Sequence, residues 1–570
     1  MVKDLSIRVA GEAGLGTQTI GFAMCHIFKN AGLHVFLIQD SMSRIRGGNN
    51  FIQLRVSRQP VQAIREQCDI VVTLDRAGVL LHGKQSAPGG IVVVDKSKSG
   101  ITETNESYFD VPLYAMAQKA GESDLYVNSA ACGVLGGLTR ISFDIIQQVL
   151  ESTFANKGPD IIGKNVRAAR EGYGFAQAEF KADTFQLEQG ADSRHLLLNG
   201  NEAMALAAIQ AGCKFYSAYP MSPSTSIMET LAGYADKYNM VVEQAEDEIA
   251  AVNMALGASF AGVRAMTGTS GGGFALMTEG LSLAAMTETP LVIVVAQRPG
   301  PATGFPTRTE QADLDFILHA GHGEFARVVF TPGSIEEAFH LTFKAFDLAE
   351  KYQVPVILMT DQYLADSVRN VDSTVLAWQP ITRHIISREA SAHVTDYQRY
   401  RFTESVISPR AVPSWITDVV YADSDEHTEA GHITEDPELR VKMVEKRFHR
   451  KMELLALEAV PPVVHNAEGA GTLVIGFGST YGVIREALQD PKFNQWGHVH
   501  FSQVWPFPEK TLNRLLIKVK KIITVENNAG AQLARLIKRE TGIEPNKSIL
   551  KYDGRPFDVD YLVQKFNEEI

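Results

Sequence analysis

The sequence predicts an α/β protein of three domains, each built on a parallel sheet. Three observations carry that prediction. Short apolar runs such as residues 291–296 and 473–477 alternate with segments of helical pattern. Glycine- and hydroxyl-rich turns stand where such runs pass into helices, at residues 11–18, 268–273 and 478–480. The length, 570 residues, suits roughly three or four domains at about 100–200 residues each.

Composition narrows the function. The 45% hydrophobic content is that of an ordinary globular protein. The net charge of −12, from 54 basic and 66 acidic residues, argues against nucleic acid as a bulk partner. A small anionic ligand would need locally placed arginines. Cys25, Cys68, Cys132 and Cys213 are too dispersed for any Cys-x-x-Cys pair, so no metal or iron–sulfur cluster held by this chain alone is expected. Residues 1–8 lack an apolar signal region, and no apolar stretch approaches about 18 residues. With cysteines this sparse, a cytoplasmic location away from membranes is the expectation.

Residues 1–190 read as the first domain. A strand at 6–10 enters the turn Gly11-Glu12-Ala13-Gly14-Leu15-Gly16-Thr17-Gln18, which leads to a helix ending near residue 30 and a strand at 35–39. This is a βαβ pattern, followed by buried strands at 69–73 and 91–95. The turn offers backbone N–H groups to a phosphate, but its Gly-x-x-Gly-x-Gly spacing departs from the dinucleotide fingerprint. A turn that only packs helix on strand fits it equally. Arg44 and Arg46 make a second polar turn with Asn49 and Asn50, suited to an anion or to an interface. Residues 78–85 and 158–165 both show Gly-x4-Gly-Lys without the Ser or Thr that holds magnesium in a P-loop.

Residues 191–378 read as the second domain. Helices at 199–211, 248–260, 274–286 and 335–352 alternate with strands at 213–219, 241–244, 264–267, 291–296 and 354–360, the pattern of a doubly wound sheet. Residues 379–468 break the rhythm and read as a connecting segment available to another subunit. Within it, 423–435 reads as an exposed acidic loop and 436–460 as one long charged helix, with Pro437 in its first turn. Residues 469–570 read as a third α/β domain, with strands at 473–477, 498–504 and 521–526 and a helix at 532–540.

The chemistry-bearing residues crowd into 219–308. In Tyr219-Pro220-Met221-Ser222-Pro223-Ser224-Thr225 two prolines stiffen a strand-end loop, which lowers the ordering cost of binding. Its hydroxyls either contact a ligand or, at Ser224 or Thr225, cap the helix from residue 227. Glu248 heads a helix whose Ala251, Ala255 and Ala258 form a small-residue face suited to close approach by a partner. The plainer reading is an acidic helix start favoured by the macrodipole. Gly268-Thr269-Ser270-Gly271-Gly272 matches the nucleophile-elbow spacing, with His319 or His322 as the histidine a hydrolase would need. Its other reading is a ligand-facing turn at a strand end. Arg298 and Arg308 each suit a carboxylate, or a structural ion pair with Glu310, Asp313 or Asp315.

Taken together, these segments resemble the 2-oxoacid:ferredoxin oxidoreductases, specifically the fused γ–α subunit of the 2-oxoglutarate type. The resemblance covers nearly the whole chain. It rests on residues 219–225, on Glu248 with Gly257-Ala258 nine and ten residues later, on Gly300-Pro301-Ala302-Thr303-Gly304-Phe305-Pro306-Thr307-Arg308-Thr309-Glu310-Gln311, and on Val525-Glu526-Asn527. The family turn usually reads Tyr-Pro-Ile-Thr-Pro-Ser; here Met221 and Ser222 replace Ile and Thr, and Ser222 keeps the hydroxyl. The family's γ-domain glycine turn, Gly-x-Gly-Gly-Gln-Gly, is altered at residues 11–18.

The resemblance implies a γ-type domain at 1–190, a pyrimidine-type thiamine diphosphate domain at 191–378 and a transketolase C-terminal-like domain at 469–570. It implies that Tyr219, Pro220, Met221, Ser222, Glu248 and Gly271 meet the cofactor. Glu248 would bond N1′ of the aminopyrimidine and act as the acid–base group. Ser222, Arg298 and Arg308 would meet the substrate, with Arg298 near the reacting carboxylate. The implied reaction joins 2-oxoglutarate, coenzyme A and oxidised ferredoxin to give succinyl-coenzyme A, carbon dioxide and reduced ferredoxin, with pyruvate or a broader 2-oxoacid range as the alternative. The chain has no Gly-Asp-Gly diphosphate motif and no cluster-binding cysteine set. That fits a separate β subunit holding the diphosphate, Mg2+ and [4Fe–4S] cluster, in an (αβ)2 assembly inactive without it.

Overall fold

Along Asp4–Glu12, alternation puts Leu5, Ile7 and Val9 on one face and Ser6 and Arg8 on the other, and both faces are buried. This strand lies inside an eight-stranded sheet. The structure, a computed structural model, describes residues 3–43, 48–190, 194–516 and 519–570. The turn formed by Arg44 and Arg46 falls outside the described residues. The chain forms two units, one of Met1–Leu198, Asp366–Val375 and Asp558–Ile570, the other of Asn199–Ala365 and Leu376–Phe557.

In the first unit the sheet order is 108–110, 86–94, 68–73, 4–12, 49–57, 34–40, 368–372, 195–198. The strands expected at 6–10 and 35–39 are present but are not neighbours. Asn49–Ser57 lies between them, antiparallel to both. It escaped the sequence reading because Gln53 and Arg55 break its apolar pattern, yet both are buried: Gln53 binds Arg8 and Arg55 binds Asp4. Helices Thr17–Asn30, Val127–Thr139, Phe143–Thr153 and Pro159–Glu179 supply the core against Leu5, Ile7 and Val9. Val368–Asp372, unread as a strand, pairs with His34–Asp40 and His195–Leu198.

The second unit holds two sheets over one hydrophobic cluster, which joins Val295 and Ile357 to Leu473, Val499 and Leu533. The larger has the order 503–505, 328–330, 355–361, 291–297, 264–269, 213–218, 241–244, parallel except at its first strand. The smaller has the order 463–465, 496–501, 472–477, 521–526, 547–550, again parallel except at its first strand. The run read as one strand at 498–504 serves both: Trp496–Phe501 lies in the smaller sheet and Gln503–Trp505 in the larger.

The connecting segment is tied down by buried charges. Glu350 is bound by Arg264 at 3.1 Å and by Arg383 at 2.8 Å. Glu288 takes Lys446 at 2.7 Å and Lys451 at 2.6 Å. The acidic loop expected to be exposed carries a fully buried residue, His427, whose ring centroid lies 4.0 Å from that of Tyr400.

Candidate functional site

The parallel ladder brings the carboxyl ends of Cys213–Ala218, Val241–Gln244, Arg264–Thr269, Leu291–Gln297 and Pro355–Asp361 to one edge of the larger sheet. Ligands of open α/β sheets bind at such an edge. The first four of these strands lead into residues singled out in the sequence, namely 219–225, Glu248, Ser270 with Gly271, and Arg298; Pro355–Asp361 leads into none, and Arg308 follows no strand end.

Residues 219–225 leave the first of these strands. Met221 O accepts hydrogen bonds from the Ser224 N–H and hydroxyl, both at 2.8 Å. Asn201 Nδ2 donates to Pro223 O and to Ser226 Oγ, also at 2.8 Å. The Ser224 hydroxyl therefore closes the turn instead of capping helix Thr225–Tyr238. Tyr219 and Ser222 stay exposed, with Pro220 and Met221 half-buried between them.

Asp247 caps the helix Glu248–Phe260, accepting the Ala250 N–H at 2.7 Å. Glu248 is thereby free of capping, and its residue is only 3% exposed. Thr269 donates its hydroxyl to Glu248 Oε1 at 3.4 Å. Glu248 is thus a buried carboxylate rather than a solvated helix start. A side chain at Gly273 would collide with Thr269 Oγ1 and the Glu248 carboxylate, and one at Gly271 with the Asp313 carboxylate. These two glycines let carboxyl groups come down onto the start of helix Gly271–Leu276.

Arg298 follows Leu291–Gln297 directly and donates from Nη1 to Ser222 O at 2.8 Å. It forms no ion pair among the described residues. Burial lowers its pKa, against the raising fields of Asp313 and Glu248. Burial pushes the Asp313 carboxyl up to about 6, with Arg298 opposing. Burial and then Asp313 push Glu310 up to about 7. Buried hydroxyls of Tyr216, Thr267, Ser270 and Thr360 have no hydrogen-bond partner among the described residues. Buried polar groups are nearly always partnered, so this edge suits completion by a bound group.

Arg308 is placed differently. Its N–H donates to Phe305 O at 3.1 Å, its stem lies against Gly554, and burial lowers its pKa. The residues after it are stitched to the smaller sheet. Gln311 donates its N–H to Asn527 O at 2.7 Å and its side chain to Phe477 O at 2.9 Å. Asn527 N–H returns a bond to Gln311 Oε1 at 3.1 Å. The motifs at 300–311 and 525–527 therefore interlock.

The hydrolase reading is not supported. Ser270 is fully buried with ordinary extended dihedrals, φ −106° and ψ 178°, instead of a strained elbow. His319 Nδ1 is engaged with Asp315 O at 2.7 Å, and Asp315 itself pairs with Arg535. Sequence reasoning weighed Asp313 only as an ion-pair partner, and named Thr269 and Gly273 within the glycine turn without their approach to Glu248. The available signal was the triple glycine 271–273, which leaves room for something directly above it.

Comparison with known proteins agrees with this geometry. A family model described as "Pyruvate flavodoxin/ferredoxin oxidoreductase, thiamine diP-bdg" matches residues 206–446. "Pyruvate ferredoxin/flavodoxin oxidoreductase" matches 6–175, and "Pyruvate:ferredoxin oxidoreductase core domain II" matches 470–562. The chain is 32% identical to a 2-oxoacid:ferredoxin oxidoreductase subunit alpha of Sulfolobus sp, over 98% of this chain and 96% of that one. It is 32% identical to the 2-oxoglutarate synthase subunit KorA of Archaeoglobus fulgidus, over 60% of this chain and 90% of that one. Among solved structures, the 2-oxoglutarate:ferredoxin oxidoreductase from Magnetococcus marinus, with 2-oxoglutarate, coenzyme A and succinyl-CoA bound, is similar over 100% of both chains, with TM-score 0.92 and 32% identity. The α/β fold, the buried carboxylate at the sheet edge and a likeness running from one end to the other agree: the chain belongs to the 2-oxoacid:ferredoxin oxidoreductase family, as an alpha-type subunit.

Proposed function

We propose that this chain is the alpha subunit of an enzyme that oxidatively decarboxylates 2-oxoglutarate with coenzyme A, giving succinyl-coenzyme A and carbon dioxide while reducing ferredoxin. The observation that carries the substrate is the full-length likeness to the Magnetococcus marinus enzyme. The residues fit thiamine diphosphate: a buried carboxylate, glycines that admit close approach, and orphaned hydroxyls at one sheet edge. When bound, that cofactor supplies a carbon nucleophile and takes up the electrons left by decarboxylation.

The chain's own part is to bind, orient and move protons. Glu248, held by Thr269, would bond N1′ of the aminopyrimidine and, by giving it a proton, favour the imino tautomer. Residues 219–222 and Gly271 would lie against the cofactor. Arg298, braced on Ser222 O, presents the rest of its guanidinium to the substrate's carboxylate. Ser222 and Arg308 complete our proposed substrate contacts. We place the Mg2+–diphosphate site and the [4Fe–4S] cluster on a β subunit, within an (αβ)2 assembly. The domain limits that go with this reading are 1–190, 191–378, 379–468 and 469–570.

A second reading, a pyruvate or broad-range 2-oxoacid enzyme, is favoured by the generically named Sulfolobus relative. A panel of 2-oxoacids with the co-expressed β subunit, coenzyme A and a viologen dye separates the two. Fastest dye reduction with 2-oxoglutarate is expected. Equal or faster reduction with pyruvate replaces the first reading by the second, and no turnover of any 2-oxoacid removes both.

A further inference from the structure

Among the described residues the Asp313 carboxyl has no structural partner that accounts for it. Its N–H is held by Gln297 Oε1 at 2.9 Å, and Leu314 beside it is fully buried, so the residue is fixed in place. Its Oδ2 is sealed from solvent and accepts no hydrogen bond among the described residues. The carboxyl stands over Gly271, where no side chain fits. Arg298 is near enough for its charge to act on Asp313, yet the two form no ion pair among the described residues. A guanidinium and a carboxyl that share one space without pairing leave room for a third group between them.

We propose that Asp313 is a substrate-contacting residue that carries a proton and donates it as a hydrogen bond to the carboxylate of the 2-oxoacid, beside Arg298. The inference rests on the 2-oxoacid reading given above. The charged groups coupled to Asp313 are Arg298 at the end of its strand and Glu310 on its own segment, and Glu248 acts on the same Arg298. Burial favours the proton and Arg298 opposes it, leaving Asp313 at about 6. Above that pH the free site has lost the proton. Substrate binding must then draw one from solvent, because two carboxylates cannot share the space. Nothing is oxidised in this step; a proton moves from water to Asp313 and stays there while substrate is bound.

The test uses the complex with its β subunit and takes KM for the preferred 2-oxoacid from pH 5.5 to 8.5. KM of the unaltered enzyme should rise above pH 6, approaching about tenfold per pH unit. Asp313→Asn, whose amide donates at every pH, should flatten that rise. Glu310→Gln should leave it. Calorimetry of 2-oxoacid binding in two buffers of different ionisation enthalpy should show uptake of about one proton at pH 7.5, lost in Asp313→Asn. An unchanged KM slope in Asp313→Asn, a slope abolished by Glu310→Gln, or no proton uptake would each overturn the assignment. A complex that turns over no 2-oxoacid would instead overturn the function on which it rests.

Discussion

At the scale of single residues the site turns on what Glu248 touches. Among the described residues its carboxylate has one donor, the Thr269 hydroxyl, and one face opened by Gly273. Glu248→Ala in the β-bound complex should cost about 10²–10⁴-fold in kcat, the usual share of an acid–base group. Its circular dichroism and melting temperature should stay near those of the unaltered chain, since only one weak hydrogen bond is lost. Activity within twofold would show that the carboxylate does no chemistry. Gly273→Ala tests the geometry without removing the group. A methyl there meets Thr269 Oγ1 and the Glu248 carboxylate, so the carboxylate must move, and misplacement by about 1 Å can cost about 10²-fold. We expect a fall in kcat with little loss of fold, since alanine favours the helix in which residue 273 sits. Arg298 and the 219–225 turn were legible because strand ends in a doubly wound sheet converge. Asp313 was not, because its burial depends on Gly271 some forty residues earlier and on Gln297, neither of which marks it in the sequence.

Among the elements, the long helix after Pro437 shows where periodicity reaches its limit. Its extent was legible from its charges and from the proline at its start. It is in fact Pro437–Val444, a π turn at Glu445–Arg450, and Lys451–Leu457. Lys446 and Lys451 are five residues apart and would point in different directions on an α-helix. A π turn, bonded i to i+5, aligns them, and both reach Glu288. Nothing in local propensity announces such a turn, because its cause is a buried carboxylate about 160 residues earlier. Glu288 itself holds a left-handed conformation, φ 49°, that a glutamate rarely adopts. Glu288→Gln would leave two ammonium groups buried without a counter-charge, a loss of about 3–5 kcal/mol. The expected outcome is a lower urea midpoint, together with faster hydrogen exchange confined at first to residues 437–457 and 399–402. A midpoint equal to that of the unaltered chain would mean that the lysines find other partners. The missed strands follow the same logic. Asn49–Ser57 carries polar residues on a face buried by its neighbours, and Val328–Phe330 and Val368–Asp372 are three and five residues long, too short for a period to declare itself.

On the scale of the whole molecule, buried polar contacts join regions distant in the chain alongside the hydrophobic cluster, and these make acid stability predictable. In the second unit, helix Ile335–Tyr352 meets the smaller sheet through Glu337, which accepts from Ser502 Oγ at 2.6 Å and the Gly333 N–H at 2.8 Å and lies 3.3 Å from His500 Nε2. Burial alone would raise the Glu337 pKa, but these partners hold it at about 2. Its contribution is therefore complete above the ordinary value of 4.5 and fades as pH falls from there towards 2. His498 lies alongside, fully buried with neither ring nitrogen partnered among the described residues, and ringed by His465, Tyr481, His500 and Arg485. Burial first, then the neighbouring positive charges, drives its pKa well below 6.5. An unfolded chain binds a proton at this position below pH 6.5 and the folded chain does not, so acid favours unfolding from that point downward. Two windows follow. Replacing His498 by Phe should give a chain whose stability, relative to the unaltered one, improves steadily as pH drops from 6.5 towards 4.5. Replacing Glu337 by Gln should give a deficit that is constant above 4.5 and shrinks below it. Urea midpoints taken at half-unit steps between pH 7.5 and 3 measure both differences. Parallel curves for either variant would show that its residue has the same proton affinity folded and unfolded, and would remove it from the account of how this molecule responds to acid.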